Sequence, residues 1–232
     1  MKKLVITIGC VLAVTGAAFA QGTVNWSTIS FANVTAQTNA TEISPLFGGA
    51  ATGTGTVGAT AGSALGGTGF YYELLYTGGA NPAPIPGSIA SLLSWSDTGL
   101  QASNNPTTLG RLSVMNGNAG AIVPWSTGTT DNIVLVGWSA NLGATWGAAE
   151  SILTNSATFP ANSFLGFTTS GYVTTLATTT SPGSAVFGAP TIEGTPIVSL
   201  LTQLYALPVP EPTTMALAGL GGLAMLLIRR RK

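Results

Sequence analysis

The pattern of apolar and polar positions divides the chain into three parts. Apolar residues fill positions 4–19 after two lysines, and they fill positions 213–228 before four basic residues. Between these runs Gly, Thr, Ser, Ala and Asn dominate, and β-forming residues occur in short bursts separated by turn residues. This pattern is typical of an all-β domain with many turns. We therefore predict a mainly β domain over residues 21–207, flanked by an N-terminal signal helix and a C-terminal single transmembrane helix.

Residues 70–76 give the clearest strand prediction. Phe70, Tyr72 and Leu74 fall on one face of an extended chain, because successive side chains of a strand point to opposite sides. Residues 133–138 are apolar on both faces, which predicts a central strand that is buried on two sides. Further strands are predicted at 23–35, 109–115, 163–168, 172–176 and 200–207.

One stretch departs from the β pattern. Apolar residues recur at helical spacing from Leu142 to Leu153, which predicts one short helix over residues 144–153 packed on a sheet. Residues 48–69 are rich in Gly, Ala and Thr, and residues 81–87 are rich in Pro, so both are predicted as loops. Because no βαβ alternation appears, the predicted architecture is an antiparallel β-sandwich or a jelly-roll-like domain.

The N-terminus has the order of a secretory signal peptide. Two lysines precede the apolar run 4–19, and Ala18 and Ala20 then form a small-x-small cleavage site around one phenylalanine. This order of charge, apolar run and small residues is the one that signal peptidases recognise. We expect residues 1–20 to be a signal peptide that is removed after Ala20.

The C-terminus begins with a stiff peptide and continues into a membrane segment. Pro210, Glu211 and Pro212 form an extended, exposed triplet, because two prolines fix φ and remove two N–H donors. Residues 213–228 form a helix of roughly 24 Å, somewhat short of the roughly 30 Å hydrocarbon core of a bilayer. By the positive-inside rule the basic end remains cytoplasmic and stops transfer. This membrane stop consists of Arg229, Arg230, Arg231 and Lys232.

The order of these elements in residues 208–232 resembles the PEP-CTERM sorting signal of Gram-negative bacteria. The resemblance implies recognition by an exosortase, which is a membrane cysteine peptidase. It also implies retention at the inner membrane with the ectodomain outside the cytoplasm, and then placement at the cell surface or outside the cell, in association with exopolysaccharide. The ectodomain, residues 21–207, is similar to Gly/Thr-rich secreted proteins that carry this tail in Verrucomicrobia-like bacteria.

The charge of the ectodomain excludes nucleic acid as a partner. The whole chain has seven basic and seven acidic residues, but Arg111 is the only basic residue between positions 21 and 207. Against it stand six acids, which gives the ectodomain a net charge of −5. No basic patch exists to neutralise phosphates and release counterions. The six acids are Glu42, Glu73, Asp97, Asp131, Glu150 and Glu193.

Two missing residue types exclude most catalytic and cofactor chemistry. The chain has no histidine, and its only cysteine, Cys10, lies in the signal peptide. Ser-His-Asp and Cys-His catalysis, zinc sites and c-type haem sites all lack their residues. A G-x-G-x-x-G match at 53–58 lies in a glycine-rich tract without the strand and helix that a dinucleotide site needs. We therefore predict no cofactor, no metal, no catalytic residues and a non-enzymatic role.

Two alternatives remain open. Aromatic rings stack on sugars, and Trp95, beside polar residues and Asp97, is the tryptophan expected to be exposed, so both are candidate glycan contacts. This interpretation predicts a glycan-binding module, whereas the other four tryptophans are expected in the core. The second alternative is a glycosidase that uses two of the six acids. Nothing in the sequence brings two of them together.

Overall fold

The computed structural model describes residues 21–32, 34–42, 57–60, 69–105, 111–155, 159–177 and 182–207. Within these residues no helix is long and apolar enough to cross a membrane. The predicted signal peptide, with Ala18 and Ala20, and the predicted tail, residues 208–232, lie outside the described residues.

The described residues form many strands and few helices, which confirms the mainly β prediction. The strands are β1 (Gln21–Asn25), β2 (Thr35–Glu42), β3 (Val57–Thr60), β4 (Phe70–Thr77), β5 (Ser96–Asn104), β6 (Leu112–Val114), β7 (Ala121–Ser126), β8 (Thr130–Ser139), β9 (Phe164–Phe167), β10 (Gly171–Thr174), β11 (Leu176–Ala177), β12 (Ser184–Ala185), β13 (Gly194–Thr195) and β14 (Leu201–Ala206). The helices are α1 (Ile89–Leu92) and α2 (Trp146–Thr154), and a short 3-10 turn covers Ala140–Leu142.

The strands build two sheets. The larger sheet has the order β3-β2-β14-β9-β8-β4-β5-β6, and β10 joins it beside β8 and carries β13. The smaller sheet has the order β11-β1-β12, with β7 also paired to β1. Most pairs are antiparallel, but β14 pairs with β2 and β12 pairs with β1 in parallel. The parallel pairs join strands that are far apart in sequence, so a tight hairpin does not connect them.

Strand β8 is the centre of the larger sheet. Its eight-residue ladder with β4 runs from the pair of Phe70 with Ser139 to the pair of Thr77 with Asn132. Strands β9 and β10 bond to its other edge. Nearly every residue of β8 is buried. The prediction of a central strand covered on both faces is confirmed.

The two faces of the larger sheet carry different cores. On one face Tyr72 and Leu135 share a buried cluster with Val24 of β1, Val123 of β7 and Trp26, which directly follows β1. On this side the smaller sheet covers the larger one.

The other face packs against α2. Val136 and Trp138 of β8 share a second cluster with Trp146, Ala149 and Leu153 of the helix. The rings of Trp138 and Trp146 lie 5.6 Å apart. The helix therefore forms a third layer, as its apolar spacing predicts.

Several strand predictions are confirmed within a few residues, and others are not. The strands predicted at 70–76, 163–168, 172–176 and 200–207 correspond to β4, β9, β10 and β14. The single strand predicted at 23–35 is wrong, because a turn separates β1 from β2. In that turn the Ser27 N–H donates to Ser30 Oγ at 3.1 Å, and the Ser30 hydroxyl donates to the Ser27 carbonyl at 2.7 Å. Such local side-chain bonds compete with sheet formation.

Strands β5 and β7 and helix α1 were missed by the sequence patterns. Strand β5 carries Gly99 at φ +74°, and β7 contains Pro124, so their composition is atypical of strands. Pro124 is tolerated because, among the described strands, β7 pairs only with β1 and so lies at an edge. The loop predicted at 48–69 also contains β3, a four-residue strand at one end of the larger sheet.

Candidate functional site

A shallow cleft lies beside the end of β4, between the proline-rich loop and α1. Its volume is about 310 Å³, at the small end of the range of roughly 300–1,000 Å³ that is typical of ligand sites. It is lined by Thr77, Gly78, Ala80, Ala83, Pro84, Ile85, Pro86, Ser91, Ser94 and Trp95. The lining therefore offers apolar surface and hydroxyl groups but no charged side chain.

The side chain of Asn132 holds the loop that forms one wall of the cleft. Asn132 is fully buried on β8, and its Nδ2 donates to the carbonyl oxygens of Thr77 and Ala80, at 3.2 Å each. Its Oδ1 accepts a 2.7 Å hydrogen bond from the Ala83 N–H. The Ser170 hydroxyl donates to the Ala83 carbonyl at 2.7 Å. The loop is thus fixed to the sheet at both of the polar groups of Ala83.

Helix α1 forms the other wall and is fixed by its own cap. The Ser91 N–H donates to Ser88 Oγ at 3.1 Å, and the Ser88 N–H donates to Ser91 Oγ at 2.9 Å. This reciprocal pair is a capping box in which serine replaces the usual Glu or Gln. Leu92 anchors the helix in the core beneath α2. Both walls of the cleft are therefore held in place by bonds that do not depend on a ligand.

The expectation that Trp95 is exposed is wrong. Only 7% of its surface is accessible, and it belongs to the core cluster of Leu92 and Trp138. Ser94 before it lies in the turn after α1 and is exposed, and Ser96 after it begins β5, while the indole itself is buried. Trp95 therefore contributes a small accessible area to the cleft.

Asp97 is exposed, as a glycan contact requires, but it is not part of the cleft lining. Its Oδ1 accepts a 2.5 Å hydrogen bond from the Gly99 N–H. Trp95 lines the cleft and Asp97 does not, so the structure does not bring the two side chains to one ligand-binding surface. A glycan contact by Trp95 and Asp97 stays a prediction.

A second cluster was missed by sequence reasoning. The carboxyl groups of Glu73 on β4 and Asp97 on β5 lie in hydrogen-bond contact. They are 24 residues apart in sequence, so only the pairing of β4 with β5 brings them together. One feature could have indicated the cluster, because Glu73 is the only charged residue in a strand of apolar and aromatic residues.

Burial is the main reason that the Glu73 carboxyl holds its proton. Glu73 is only 1% exposed. Burial, followed by the hydrogen bond that the protonated Glu73 carboxyl donates to Asp97, raises the pKa of Glu73 to about 8. The Gln101 side chain donates to Glu73 Oε2 at 3.0 Å and opposes part of this shift. A carboxyl group in this setting is mostly protonated at neutral pH.

Asp131 is a third acid with a shifted pKa. It lies on β8 and is 9% exposed. Burial raises the pKa of its carboxyl above the usual range of an aspartate. Among the described residues, no three His, Cys, Asp or Glu side chains gather where they could hold a metal ion.

Comparison with known proteins identifies the end of the chain. The family model of the PEP-CTERM protein-sorting motif matches residues 208–232. The matched residues include Pro210, Glu211 and Pro212 and the basic residues from Arg229 to Lys232. Neither the curated proteins nor the solved structures that were compared with the chain give a match.

The match supports the resemblance of the C-terminus to a PEP-CTERM sorting motif. A motif of this kind indicates processing by an exosortase-type enzyme and export of a surface protein by way of the membrane. The chain carries a PEP-CTERM protein-sorting motif at its C-terminus.

Proposed function

We propose that this protein is a non-enzymatic surface or extracellular-matrix protein, associated with exopolysaccharide and sorted through its PEP motif. The observation that carries the proposal is the sorting-motif match at residues 208–232. In this proposal a signal peptide at 1–20 directs export, and a helix at 213–228 tethers the chain to the inner membrane. The basic tail then stays in the cytoplasm until an exosortase-type enzyme releases the ectodomain.

In this proposal the ectodomain is an antiparallel β-sandwich or a jelly-roll-like domain. Its Gly/Thr-rich composition resembles that of secreted proteins of Verrucomicrobia-like bacteria. Its net charge of −5 supports solubility outside the cell. The packing of the smaller sheet on one face of the larger sheet supports the sandwich.

The geometry of the Glu73 and Asp97 pair supports a non-enzymatic role for these two acids. A glycosidase needs two accessible carboxyl groups about 5–9.5 Å apart on either side of a glycosidic bond. The carboxyl groups of Glu73 and Asp97 are in direct contact, and Glu73 is 1% exposed. A sugar cannot enter between them, so this pair favours a structural role over cleavage.

The sorting part of the proposal is tested by the intact mass of the protein recovered from cells that contain an exosortase. The wild-type protein is expected to lose its C-terminal segment, whereas Glu211→Ala should keep it, because the carboxylate between the two prolines is removed. Glu193→Ala, a single acid-to-alanine change in the ectodomain, serves as the matched control and should be processed normally. A wild-type protein that keeps Lys232 in such cells would contradict the proposal.

The exopolysaccharide part is tested by sedimentation of the processed protein with polysaccharide purified from the producing cells. The protein is expected to sediment with the polysaccharide and to leave its chain length unchanged. Shortening of the polysaccharide would show that the protein is an enzyme. A protein that stays in the supernatant at all polysaccharide concentrations would exclude the association.

The cleft favours a second candidate function, which is binding of a neutral glycan. Its lining combines the apolar Pro84, Ile85 and Trp95 with the hydroxyls of Ser91 and Ser94, and this mixture suits the apolar face and hydroxyl groups of a sugar ring. The absence of charge in the lining favours neutral over acidic sugars.

Titration with neutral and with acidic oligosaccharides, followed by tryptophan fluorescence, tests this candidate. Neutral oligosaccharides are expected to change the fluorescence and acidic ones are not. Ser94→Phe should abolish the change because the exposed Ser94 borders the cleft. Ser151→Phe is the control, since Ser151 is exposed on α2 and is not in the cleft lining. Equal responses in both variants would exclude the cleft as the site.

A further inference from the structure

The carboxyl group of Glu73 has apolar neighbours on β4 and β8. Leu75, two residues further along β4, and Val136, directly opposite on β8, are both fully buried in the cluster beneath α2. Glu73 itself is 1% exposed. A carboxylate in such a position needs partners, because its transfer from water to an apolar interior is strongly unfavourable.

Three groups from two elements surround this carboxyl. The Gln101 Nε2 donates to Oε2 at 3.0 Å, and the backbone N–H of Trp146, the first residue of α2, also donates to the carboxyl. The third partner is the carboxyl of Asp97. When both acids are ionised, neither carboxylate has a proton to donate to the other. Two carboxyl groups in contact therefore form a bond only when they share one proton.

The position of Asp97 is set by an irregularity in the ladder between β4 and β5. Glu73 pairs with Gln101, but Leu75 pairs with Asp97, so β5 has two more residues than β4 between these pairs. Gly99 provides the required backbone conformation at φ +74°. The Asp97 carboxyl accepts from the Gly99 N–H. We name residues 97–100 the bulge.

The other charged groups of the region do not neutralise the pair. Strand β8 presents Val136 to Glu73, and α2 carries Glu150 as its only ionisable residue. Glu150 is partly exposed and is not among the groups that act on Glu73. Arg111, the only basic residue between positions 21 and 207, donates instead to the carbonyl of Ala32. No described cation therefore compensates a second negative charge at this site.

We propose that Glu73 and Asp97 act as a clasp, closed by one shared proton, that holds the bulge of β5 against β4. When the proton leaves to solvent, the two carboxylates repel each other. Glu73 keeps its bonds to Gln101 and to the N-terminus of α2, which both favour the ionised form. Asp97 is exposed and turns toward water, so the bulge, rather than the helix, is the part that loosens. The bulge begins two residues after Trp95, which lines the cleft.

The direction of the pH effect follows from proton binding. Burial and the neighbouring acid raise the pKa of Glu73 from about 4.5 in an unfolded chain to about 8. At pH values between about 4.5 and about 8, the folded state therefore holds a proton that the unfolded state has released. The stabilising contribution is complete below about pH 4.5 and is lost as the pH rises through about 8. One proton changes the folding equilibrium constant by at most about tenfold per pH unit.

Urea unfolding of the full-length protein in detergent micelles tests the clasp at several pH values from 5 to 9. All five tryptophans lie between residues 26 and 146, so their fluorescence reports on the ectodomain. The equilibrium constant of the wild-type protein is expected to fall by up to about tenfold per pH unit over most of this range. Glu73→Gln should remove that slope, because an amide fills the same space, donates to Asp97 and cannot ionise. Glu150→Gln should keep the wild-type slope.

A second variant keeps the proposal testable if Glu73→Gln does not fold. Asp97→Asn changes an exposed residue, removes the neighbouring carboxyl and should move the pH dependence to lower pH. In the wild-type protein the Gly99 amide resonance should titrate with a midpoint near pH 8, where the stability stops falling. Gly99 reports this step because its N–H bonds to Asp97. Equal slopes in wild type and Glu73→Gln, or an unchanged midpoint in Asp97→Asn, would overturn the proposal.

Discussion

Asn132 accepts a 2.7 Å hydrogen bond at Oδ1 from the backbone N–H of Ala83 and thereby joins the central strand to the proline-rich loop. Both ends of this bond are buried, although Ala83 belongs to a loop and Asn132 to the most buried strand of the sheet. Buried polar groups of a loop need such partners because water cannot reach them. One side chain therefore decides where the wall of the cleft lies.

Asn132→Ala should destabilise the protein by about 2–4 kcal/mol, because it leaves the Ala83 N–H and two carbonyl groups without their partner. Asn155→Ala is the control, since Asn155 is exposed after α2 and its change should stay within about 0.5 kcal/mol. Urea unfolding measures both values, and limited proteolysis within residues 78–87 reports on the loop itself. Equal stabilities of the two variants would show that the loop is held by other contacts.

Two buried threonines should respond in opposite directions to the same substitution. Thr168 Oγ1 accepts a 3.1 Å bond from the buried Leu135 N–H, whereas Thr202 Oγ1 has no hydrogen-bond partner within the described structure. Thr168→Val should therefore destabilise the protein by about 1–3 kcal/mol, because a buried donor is left unpaired. Thr202→Val keeps the shape, removes an unpaired hydroxyl and should stabilise the protein by up to about 1 kcal/mol. The midpoints of urea unfolding measure both, and changes of the same sign would contradict this assignment.

Gly166→Ala should disrupt the contact between β9 and β14. A Cβ atom at this position would clash with the backbone of Gln203 and Leu204, which cannot move without breaking the pairing of these strands. We expect a loss of more than about 3 kcal/mol or no folded protein, as for other overpacked sites that cannot relax. Thermal unfolding followed by circular dichroism measures the effect.

Gly147→Ala provides the matched control for that substitution. Gly147 lies in α2, and its added Cβ would meet no atom within 4 Å. Alanine is a better helix former than glycine, so this change should stabilise the protein by up to about 1 kcal/mol. A larger loss of stability in Gly147→Ala than in Gly166→Ala would show that the close contact of β9 with β14 does not determine the tolerance to an added Cβ atom.

Asp131→Asn should stabilise the protein more at neutral pH than at acid pH. Burial raises the pKa of Asp131, so the folded state binds a proton more tightly than the unfolded state. The stability from this residue is complete below the usual pKa of an aspartate, about 3.9, and decreases as the pH rises above it. An amide does not ionise, so the gain from the substitution should be near zero at pH 3 and positive at pH 7. A gain that is independent of pH would exclude ionisation as its cause.

The sequence by itself determined the sorting motif at the C-terminus and the mainly β class of the fold. The order of residues 208–232 is sufficient to identify the sorting motif, because a linear peptide and an apolar run carry their properties without tertiary contacts. Strands Phe70–Thr77 and Thr130–Ser139 each contain several consecutive β-forming apolar or aromatic residues, so local pattern predicts them well. The spacing of Trp146, Ala149 and Leu153 likewise predicts α2.

Only the tertiary structure decided which side chains meet. Trp95 has polar neighbours in sequence, yet α1 and the loop fixed by Asn132 surround it, so local polarity gave the wrong exposure. Glu73 and Asp97 become neighbours through an irregular register of β4 and β5, which depends on Gly99 and on contacts across the sheet. Register and burial are properties of pairs of distant segments, and a pattern read along one segment does not contain them.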